Sequence, residues 1–382
     1  MDASRLETQM LRVSQSVVGR REVDAVKRVL LEDGYLGMGR EVKAFESDLA
    51  AFLGVPAEHV VCVNSGTAAL HLAIQAVTKP ADEVLVQSLT YIASFQAISA
   101  AGAVPVACEV VPKNITIDLE DAKQRLTSGT RVIMPVHYTG NPGDLDRIYA
   151  FAKEHGLRVI EDAAHAFGCS YKGRKIGSFG DIVCFSFDGI KNITSGEGGA
   201  VISEDAEVLA KVRSARLLGV EKDTEKRFAG QRSWEFDVLY QGYRYHMSNI
   251  FAAIGRVQLD RFPLEFAPQR IALAQRYRER LAGIPDIALI ETELGPVVPH
   301  IQPVRILNGH RDQLRNTLKD HNIETGIHYK PNHLLSFYRG RCVRLPVTEK
   351  LYEELLTLPL HPGLTVDDVN HVCDVVAAHM AA

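Results

Sequence analysis

Apolar positions in the middle of the chain form alternating units of strand and helix. From His59 onward, HVVCV is an apolar run of strand length, and AALHLAIQAV after it is a helical pattern with Leu70, Ile74 and Val77 on one face. The unit recurs as EVLVQ with SFQAISAAG, and as RVIMPVHY with DLDRIYAFAKEHG and then LRVIED. This alternation predicts an α/β fold with a mostly parallel sheet that helices cover on both faces.

Two helical patterns precede these units and flank the glycine-rich segment GYLGMG. Val26 and Val29 fit the apolar face of the first pattern, and Val42, Phe45 and Leu49 fit that of the second. Because GYLGMG follows a helix and not a strand, it is not a dinucleotide-binding fingerprint. It is either a loop over a ligand, a subunit contact or a plain turn.

The pattern changes again toward the carboxyl end. A helix predicted from about Ser248 is interrupted by Pro263 and Pro268, and RIALAQRYRERLAGI then begins a new amphipathic helix. An apolar HIQPVRIL run, a helix near RDQLRNTLKD and a final helix from about Val366 follow. We therefore predict a large domain over residues 1–262 and a smaller α+β domain over residues 263–382.

Composition excludes several classes of protein. Lys and Arg (43) nearly balance Asp and Glu (47), so no basic excess exists to bind nucleic acid or an anionic membrane. No apolar run approaches the ~20 residues of a membrane span, and the first residues lack a signal pattern, so we expect a cytoplasmic protein. Buried, reduced thiols are predicted for the six cysteines, which form no CxxC pair: Cys62, Cys108, Cys169, Cys184, Cys342 and Cys373.

Polar residues follow the strands at the edge where ligands bind in parallel sheets. The first predicted strand is followed by Asn64, Ser65, Gly66 and Thr67, the second by Ser88, Thr90 and Tyr91, and later strands by Asp162 with His165 and by Ser186 with Lys191. Each signal alone has an ordinary explanation, because SGT can simply cap a helix and a lone lysine is usually a surface cation. We expect all of these residues to converge on one sheet edge.

Together these residues suit pyridoxal phosphate. A helix amino end with hydroxyls binds phosphate, a carboxylate holds the pyridine nitrogen protonated, an aromatic residue lies against the ring, and a lysine amine meets the aldehyde. The other glycine-bearing strings contain neither a Walker A pattern nor a strand–GxGxxG–helix unit. A nucleoside triphosphatase or a nicotinamide enzyme therefore has little support.

Five segments in order resemble one enzyme family: SGTAAL, TYIAS, IEDAAHAFG, GDIVCFSFDGIKNITSGEGG and GYRYHMSNI. The set is similar to the DegT/DnrJ/EryC1/StrS sugar aminotransferases, which have the aspartate aminotransferase fold (fold type I) and use pyridoxal phosphate. The similarity spans about residues 34–262 and continues more faintly in GIHYKPNH.

The resemblance implies a role for each matching residue. Lys191 would form the internal imine and then shuttle a proton, Asp162 would pair with the pyridine nitrogen, and His165 would contact the ring hydroxyl. Tyr91 would lie against the ring. Ser65, Gly66, Thr67 and Ser186 would hold the phosphate. Substrate contacts would come from Tyr35 in GYLGMG and from the loop HYKPNH with His328, Tyr329 and His333, which alternatively is a solvated loop with one packed tyrosine.

Two departures from the family pattern occur. Many members have GYNYRM, whose Asn reaches a phosphate of the neighbouring subunit's cofactor, whereas this chain has Arg244 in that place and His246 in the place of the Arg. Arg244 can still bind phosphate by charge and a planar fork, so the resemblance implies a homodimer with shared sites. FDGIK replaces the common FHPTK, but Lys191 is kept, which favours transamination over the dehydratase activity of relatives with histidine there.

The sequence thus predicts an aminotransferase that moves nitrogen from glutamate to a nucleotide-linked keto-hexose, with a 4-keto-6-deoxy sugar first and a 3-keto sugar as the alternative. The products would serve amino-sugar and surface polysaccharide synthesis, such as that of O-antigen or lipopolysaccharide. A non-transaminase enzyme of the same fold, such as a lyase or desulfurase, and a ligand-sensing regulator are weaker alternatives. No metal site is expected, because two histidines in HYKPNH without partnering carboxylates make a poor ligand set.

Overall fold

The computed structural model describes residues 10–220, 237–238, 240–341 and 344–381. The cysteine prediction holds for Cys62, Cys108, Cys169, Cys184 and Cys373, which are buried and unpaired with one another, whereas Cys342 lies outside the described residues. Within the described ranges, no helix is both long and apolar enough to cross a membrane.

A seven-stranded sheet forms the centre of the larger part of the molecule. Its spatial order is β1-β9-β8-β5-β4-β2-β3, and β9 is antiparallel to both neighbours while the other adjacent pairs are parallel. The mostly parallel sheet predicted from the alternation is thereby confirmed. The strands, with the separate β6–β7 hairpin, are β1 Val60–Val63, β2 Glu83–Gln87, β3 Val104–Cys108, β4 Thr130–Met134, β5 Arg158–Asp162, β6 Ser170–Tyr171, β7 Arg174–Lys175, β8 Ile182–Ser186 and β9 Gly199–Ser203.

Helices cover both faces of this sheet, as its buried strands require. These helices are α1 Arg20–Arg28, α2 Arg40–Leu53, α3 Gly66–Val77, α4 Ile92–Ala100, α5 Leu119–Gln124, α6 Leu145–His155, α7 Ala206–Ala215 and α8 Asn249–Arg261. Successive side chains of a strand point to opposite faces. Val60 and Cys62 of β1 accordingly pack in one core with α2, α6 and α8, and Val61 and Val63 pack in the other with α3, α4 and α7.

The carboxyl-terminal part contains a three-stranded antiparallel sheet of order β10-β11-β12. Its elements are α9 Ala267–Leu281, β10 Ile287–Leu289, β11 Gln302–Ile306, α10 Arg311–Asp320, α11 Pro346–Glu354, β12 Leu355–Leu358 and α12 Val366–Met380. Leu273 and Tyr277 of α9, Leu314 of α10 and Val372 of α12 share one core with this sheet. The smaller α+β region is therefore confirmed, whereas the exact domain boundary at residue 262 stays a prediction.

The chain stays helical across the two prolines that were expected to interrupt it. Ser248 caps α8 by accepting a hydrogen bond from the Phe251 N–H at 3.3 Å, which confirms the predicted start. A π-helical turn, Phe262–Phe266, then joins α8 to α9 without a break. Pro263 and Pro268 lie at the starts of this turn and of α9, where the wider turn leaves room for residues that lack an N–H.

Candidate active site

The carboxyl ends of β1, β5 and β8 bring the predicted residues to one edge of the sheet. Gly66 begins α3 directly after β1, and a Cβ atom placed on it would lie 2.6 Å from Cβ of Ser186, the last residue of β8. Asp162 ends β5, which pairs with β8. The loop after β8 carries Lys191, whose amine interacts electrostatically with the Asp162 carboxylate. The convergence inferred from the strand order therefore exists in the structure.

The amino end of α3 provides an anion-binding geometry. Ser65 caps the helix, since its Oγ accepts a hydrogen bond from the Ala68 N–H at 3.1 Å, and its own O–H remains available for donation. Capping and anion binding are therefore compatible here. Thr67 is exposed on the first turn, where backbone N–H groups have no partner within the helix. Gly199 of β9 lets the backbones approach, because a Cβ atom there would lie 2.5 Å from the Ser65 carbonyl oxygen.

The Asp162 carboxylate is buried and held in one orientation. Oδ2 accepts a hydrogen bond from Ser94 Oγ at 2.7 Å, and Oδ1 accepts one from the Ala164 N–H at 3.2 Å. Burial raises the pKa of Asp162, and these hydrogen bonds together with the positive charge of Lys191 oppose that rise. A cationic N–H placed against such a carboxylate would keep it ionised. Ser94 was not identified from the sequence, where it is one small polar residue in the first turn of α4.

The Lys191 amine lies in a partly closed position beside two aspartates. Burial lowers its pKa to about 8, an effect that Asp188 and Asp162 oppose and that Arg270 reinforces. Nζ of Lys191 is 3.5 Å from Nε2 of His300. An amine with this pKa exchanges protons readily near neutrality, as a general acid and base must.

Two buried histidines and the partly buried Tyr329 form an aromatic group beside Lys191. The His165 and His300 ring centroids are 4.4 Å apart, and His165 Nε2 lies 3.1 Å from the hydroxyl of Tyr329. Burial, followed by the charge of Lys191, lowers the pKa of both histidines well below the usual range, so both rings are neutral at pH 7. His300 was not identified from the sequence, because it opens the HIQPVRIL run that indicated only an apolar strand.

Tyr91 and the HYKPNH loop meet at this group. Tyr91 is exposed, and its ring centroid is 5.5 Å from that of Tyr329. Nδ1 of His328 lies 2.9 Å from Thr357 Oγ1, and burial lowers the pKa of His328 to about 4. The loop is therefore packed against the site through Tyr329 and His328, and the alternative of a solvated loop does not fit.

The remaining predicted residues lie in different settings. His333 is buried, with Nδ1 2.8 Å from Ser88 Oγ and Nε2 3.4 Å from a Glu349 oxygen, so both ring nitrogens are engaged and neither is left for a substrate. Its contact with a substrate stays a prediction, and the two ring contacts tie the HYKPNH loop to Ser88 and Glu349. Tyr35 is 57% exposed in the turn before α2. Arg244 is exposed, and its carbonyl oxygen accepts a hydrogen bond from Asn64 at the end of β1.

The arrangement fits pyridoxal phosphate. It offers a helix amino end for the phosphate, a buried carboxylate for the pyridine nitrogen, and an amine of lowered pKa for the aldehyde. Nδ1 of His165 is buried without a hydrogen-bond partner, and a ring hydroxyl would be a suitable one. Across the described ranges, no group of three or more His, Cys, Asp or Glu side chains could hold a metal ion.

Comparison with known proteins gives an aminotransferase family. The profile of the DegT/DnrJ/EryC1/StrS aminotransferase family matches residues 17–377. The chain is 35% identical over 372 residues to dTDP-4-dehydro-2,3,6-trideoxy-D-glucose 4-aminotransferase of Saccharopolyspora spinosa, which covers 96% of this chain and 95% of the relative. It is also 35% identical over 374 residues to spore coat polysaccharide biosynthesis protein SpsC of Bacillus subtilis (strain 168), with 95% of each chain covered.

Solved structures agree with this assignment. The aminotransferase TlmJ from Streptoalloteichus hindustanus has a TM-score of 0.90 at 34% identity, covering 97% of this chain and 99% of TlmJ. The PLP form of Spr1654 from Streptococcus pneumoniae has a TM-score of 0.88 at 28% identity, covering 97% and 99%. The chain therefore belongs to the DegT/DnrJ/EryC1/StrS aminotransferase family, and it is a sugar aminotransferase that depends on pyridoxal phosphate.

Proposed function

We propose that this protein transfers an amino group from glutamate to C4 of a nucleotide-linked 4-keto-6-deoxy-hexose. The observation that carries the proposal is the Lys191 amine, with a pKa near 8, held beside Asp162 and the His165–His300 pair. The name of the relative from Saccharopolyspora spinosa supports a 4-keto sugar on a nucleotide, and that of SpsC supports a role in polysaccharide synthesis. Amination of a 3-keto sugar is the second candidate.

Each side chain then has a defined task. The cofactor, when bound, supplies an aldehyde and an electron-accepting ring. Lys191 would hold the cofactor at its aldehyde carbon, and its free amine would then take a proton from the substrate and return one to the sugar carbon, which its lowered pKa makes feasible at neutral pH. Asp162 would keep the pyridine nitrogen protonated, and Nδ1 of His165 would accept a hydrogen bond from the ring hydroxyl. The phosphate would be bound at the amino end of α3 by Ser65, Gly66, Thr67 and Ser186, and Tyr91 would lie against the ring.

Arg244 is assigned to the cofactor of a second subunit. Arg244 is exposed, its backbone carbonyl accepts a hydrogen bond from Asn64, which directly precedes Ser65, and its guanidinium carries the charge that a phosphate requires. We therefore propose a homodimer with shared active sites, in which Tyr35, His328 and Tyr329 face the sugar. A cytoplasmic location belongs to the same proposal.

Among the described residues every cysteine is buried, so a desulfurase has no reactive thiol there.

A substrate panel tests this function. Purified protein is offered nucleotide-linked 3-keto and 4-keto sugars with glutamate, and the amino sugars are quantified by mass spectrometry. We expect glutamate-dependent amination that is fastest with a 4-keto-6-deoxy sugar, and loss of at least ~1,000-fold in Lys191→Ala. Borohydride reduction should attach the cofactor to Lys191. Unchanged turnover in Lys191→Ala would overturn the role of this lysine, and faster amination of 3-keto sugars would favour the second candidate.

A further inference from the structure

His300 is a fixed, buried imidazole that the family motifs in the sequence did not include. It is 3% exposed and lies just before β11. Its backbone is held on both sides, because its N–H donates to the Thr139 carbonyl at 3.1 Å and its carbonyl accepts from Arg270 Nη1 at 3.0 Å. Arg270 is itself buried on α9. The imidazole therefore occupies a place that the surrounding backbone defines.

The 3.5 Å contact between Lys191 Nζ and His300 Nε2 has a defined direction when the amine is charged. An ammonium group has three donors and no acceptor, so Nε2 of His300 must accept. Burial lowers the pKa of His300 well below the usual range, which keeps the ring neutral and able to do so. This direction places the proton of the neutral ring on Nδ1, which is buried without a hydrogen-bond partner in the structure.

Other groups act on the Lys191 amine through charge. Three charged groups change the pKa of this amine: Asp188 on its own loop, Asp162 at the end of β5 and Arg270 on α9. The charge of the amine in turn lowers the pKa values of His165 and His328. His300 differs from these groups because it lies within hydrogen-bonding distance of Nζ. A lysine amine sits on a flexible four-carbon stem, so a fixed acceptor restricts the positions it can take.

We propose that His300 is a positioning residue for Lys191: its Nε2 accepts a hydrogen bond from the free amine and holds it at the edge of the sheet. This inference rests on the proposed role of Lys191 as the reactive amine. The hydrogen bond favours the charged form of the amine, so removing the acceptor should lower the pKa of Lys191. It should also let the amine leave its working position while the binding of substrates stays intact.

The first test measures the Lys191 amine in cofactor-free protein. Acetic anhydride labels neutral amines, and mass spectrometry of the Lys191 peptide as a function of pH gives the pKa. We expect His300→Met, which has a similar volume and no comparable acceptor, to lower this pKa by about one unit. His300→Gln places an amide near the position of Nε2 and should raise the pKa most of the way back to the wild-type value. An unchanged pKa in His300→Met overturns the proposal.

A matched control separates this effect from the loss of any buried imidazole. His71 on α3 is 4% exposed, and its Nδ1 lies 3.3 Å from the Tyr245 hydroxyl, away from Lys191. His71→Met should leave the pKa of the Lys191 amine unchanged. If His300→Met does not fold, His300→Asn serves in its place, since its amide is polar but too short to reach Nζ. We expect His300→Asn to lower the pKa of the Lys191 amine by the same amount, and an unchanged pKa in this variant also overturns the proposal.

The second test uses the holoenzyme. For His300→Met we expect kcat to fall roughly 10- to 100-fold while KM for glutamate changes less than ~3-fold, with recovery in His300→Gln. A loss confined to KM contradicts a positioning role. Borohydride reduction of wild-type holoenzyme separates the two hypotheses: cofactor attached to a lysine other than Lys191 overturns the proposed function, whereas attachment to Lys191 with unaffected His300 variants overturns only this inference.

Discussion

Lys191 and Asp162 show how burial sets the chemistry of single groups in this protein. Burial lowers the pKa of the amine to about 8 and raises that of the carboxyl, so each charge is disfavoured unless a partner is present. Ser94 and the Ala164 N–H stabilise the carboxylate, and His300 contacts the amine. A bound cofactor would add a cationic nitrogen beside the Asp162 carboxylate and would react with the Lys191 amine. Cofactor binding should therefore increase the stability of the fold.

Replacing Lys191 should therefore stabilise the cofactor-free protein. The folded-state pKa of about 8 lies below the usual 10.5, so between these values the unfolded chain binds more protons and wild-type stability rises with pH. We expect Lys191→Met to be more stable than wild type by about 1–3 kcal/mol at pH 7, because it removes a charge from a buried position. Urea unfolding from pH 7 to 10.5 should show this advantage shrinking as the pH passes 8.

The control for this experiment is a lysine outside the site. Lys211 on α7 is a half-exposed amine paired with Glu207, and Lys211→Met should show no comparable gain. A Lys191→Met protein that is less stable than wild type at pH 7, or whose advantage grows with pH, would contradict the view that the ammonium is strained by burial.

The elements around the site meet through glycines because backbone must approach backbone there. β9 passes so close to the amino end of α3 that any side chain on Gly199 would collide with main-chain atoms, namely the Ser65 carbonyl oxygen at 2.5 Å and the Gly66 nitrogen at 2.8 Å. Main-chain atoms at the start of a helix cannot move aside without displacing the helix. The position of the proposed phosphate site therefore depends on how closely β9 approaches the start of α3.

We expect Gly199→Ala to damage both stability and cofactor binding. Overpacking of this kind costs about 1–3 kcal/mol, which chemical unfolding would measure, and the displaced start of α3 should weaken pyridoxal phosphate binding at least ~10-fold in a fluorescence titration. Gly340 is a suitable control, since a Cβ atom there meets nothing within 4 Å, and Gly340→Ala should change neither quantity appreciably. Normal cofactor affinity in Gly199→Ala would show that the helix start tolerates displacement.

At the scale of the whole molecule, the sequence predicted the features that follow from the order of the strands. It did not predict contacts between side chains that lie far apart in the chain. Parallel strands end at one edge, so the meeting of Ser65, Asp162 and Lys191 followed from the alternating pattern alone. His300 could not be found in this way, because its contact with Lys191 joins segments 109 residues apart. The burial of His333 likewise arises from Ser88 and Glu349, and no local pattern indicates it.

Shared active sites can be tested by mixing two inactive variants. If Arg244 serves the neighbouring subunit, a mixed dimer of Lys191→Ala and Arg244→Ala chains keeps one complete site, with Lys191 from one chain and Arg244 from the other. Random exchange of subunits should then restore about one quarter of wild-type activity, because half of the dimers are mixed and each has one intact site of two. Light scattering should show a dimer throughout.

The control is the mixture of Lys191→Ala with Asp162→Ala. In this scheme Lys191 and Asp162 both serve the cofactor of their own subunit. Each chain of the mixed dimer therefore has a defect in its own site, and no activity should return. If the Arg244 mixture also stays inactive, although its dimers exchange and each variant is folded, Arg244 acts on its own subunit's cofactor.

The unbroken helix from α8 through the π-helical turn to α9 makes a rod from Asn249 to Leu281, roughly 50 Å long at 1.5 Å per residue. Its first half packs on α2, where Gly255 lies against the Phe45 ring, and its second half carries Arg270, which holds the His300 carbonyl. Because Arg270 on this rod is hydrogen-bonded to His300, a change that displaces α9 would also displace His300 and lengthen or shorten its contact with the Lys191 amine.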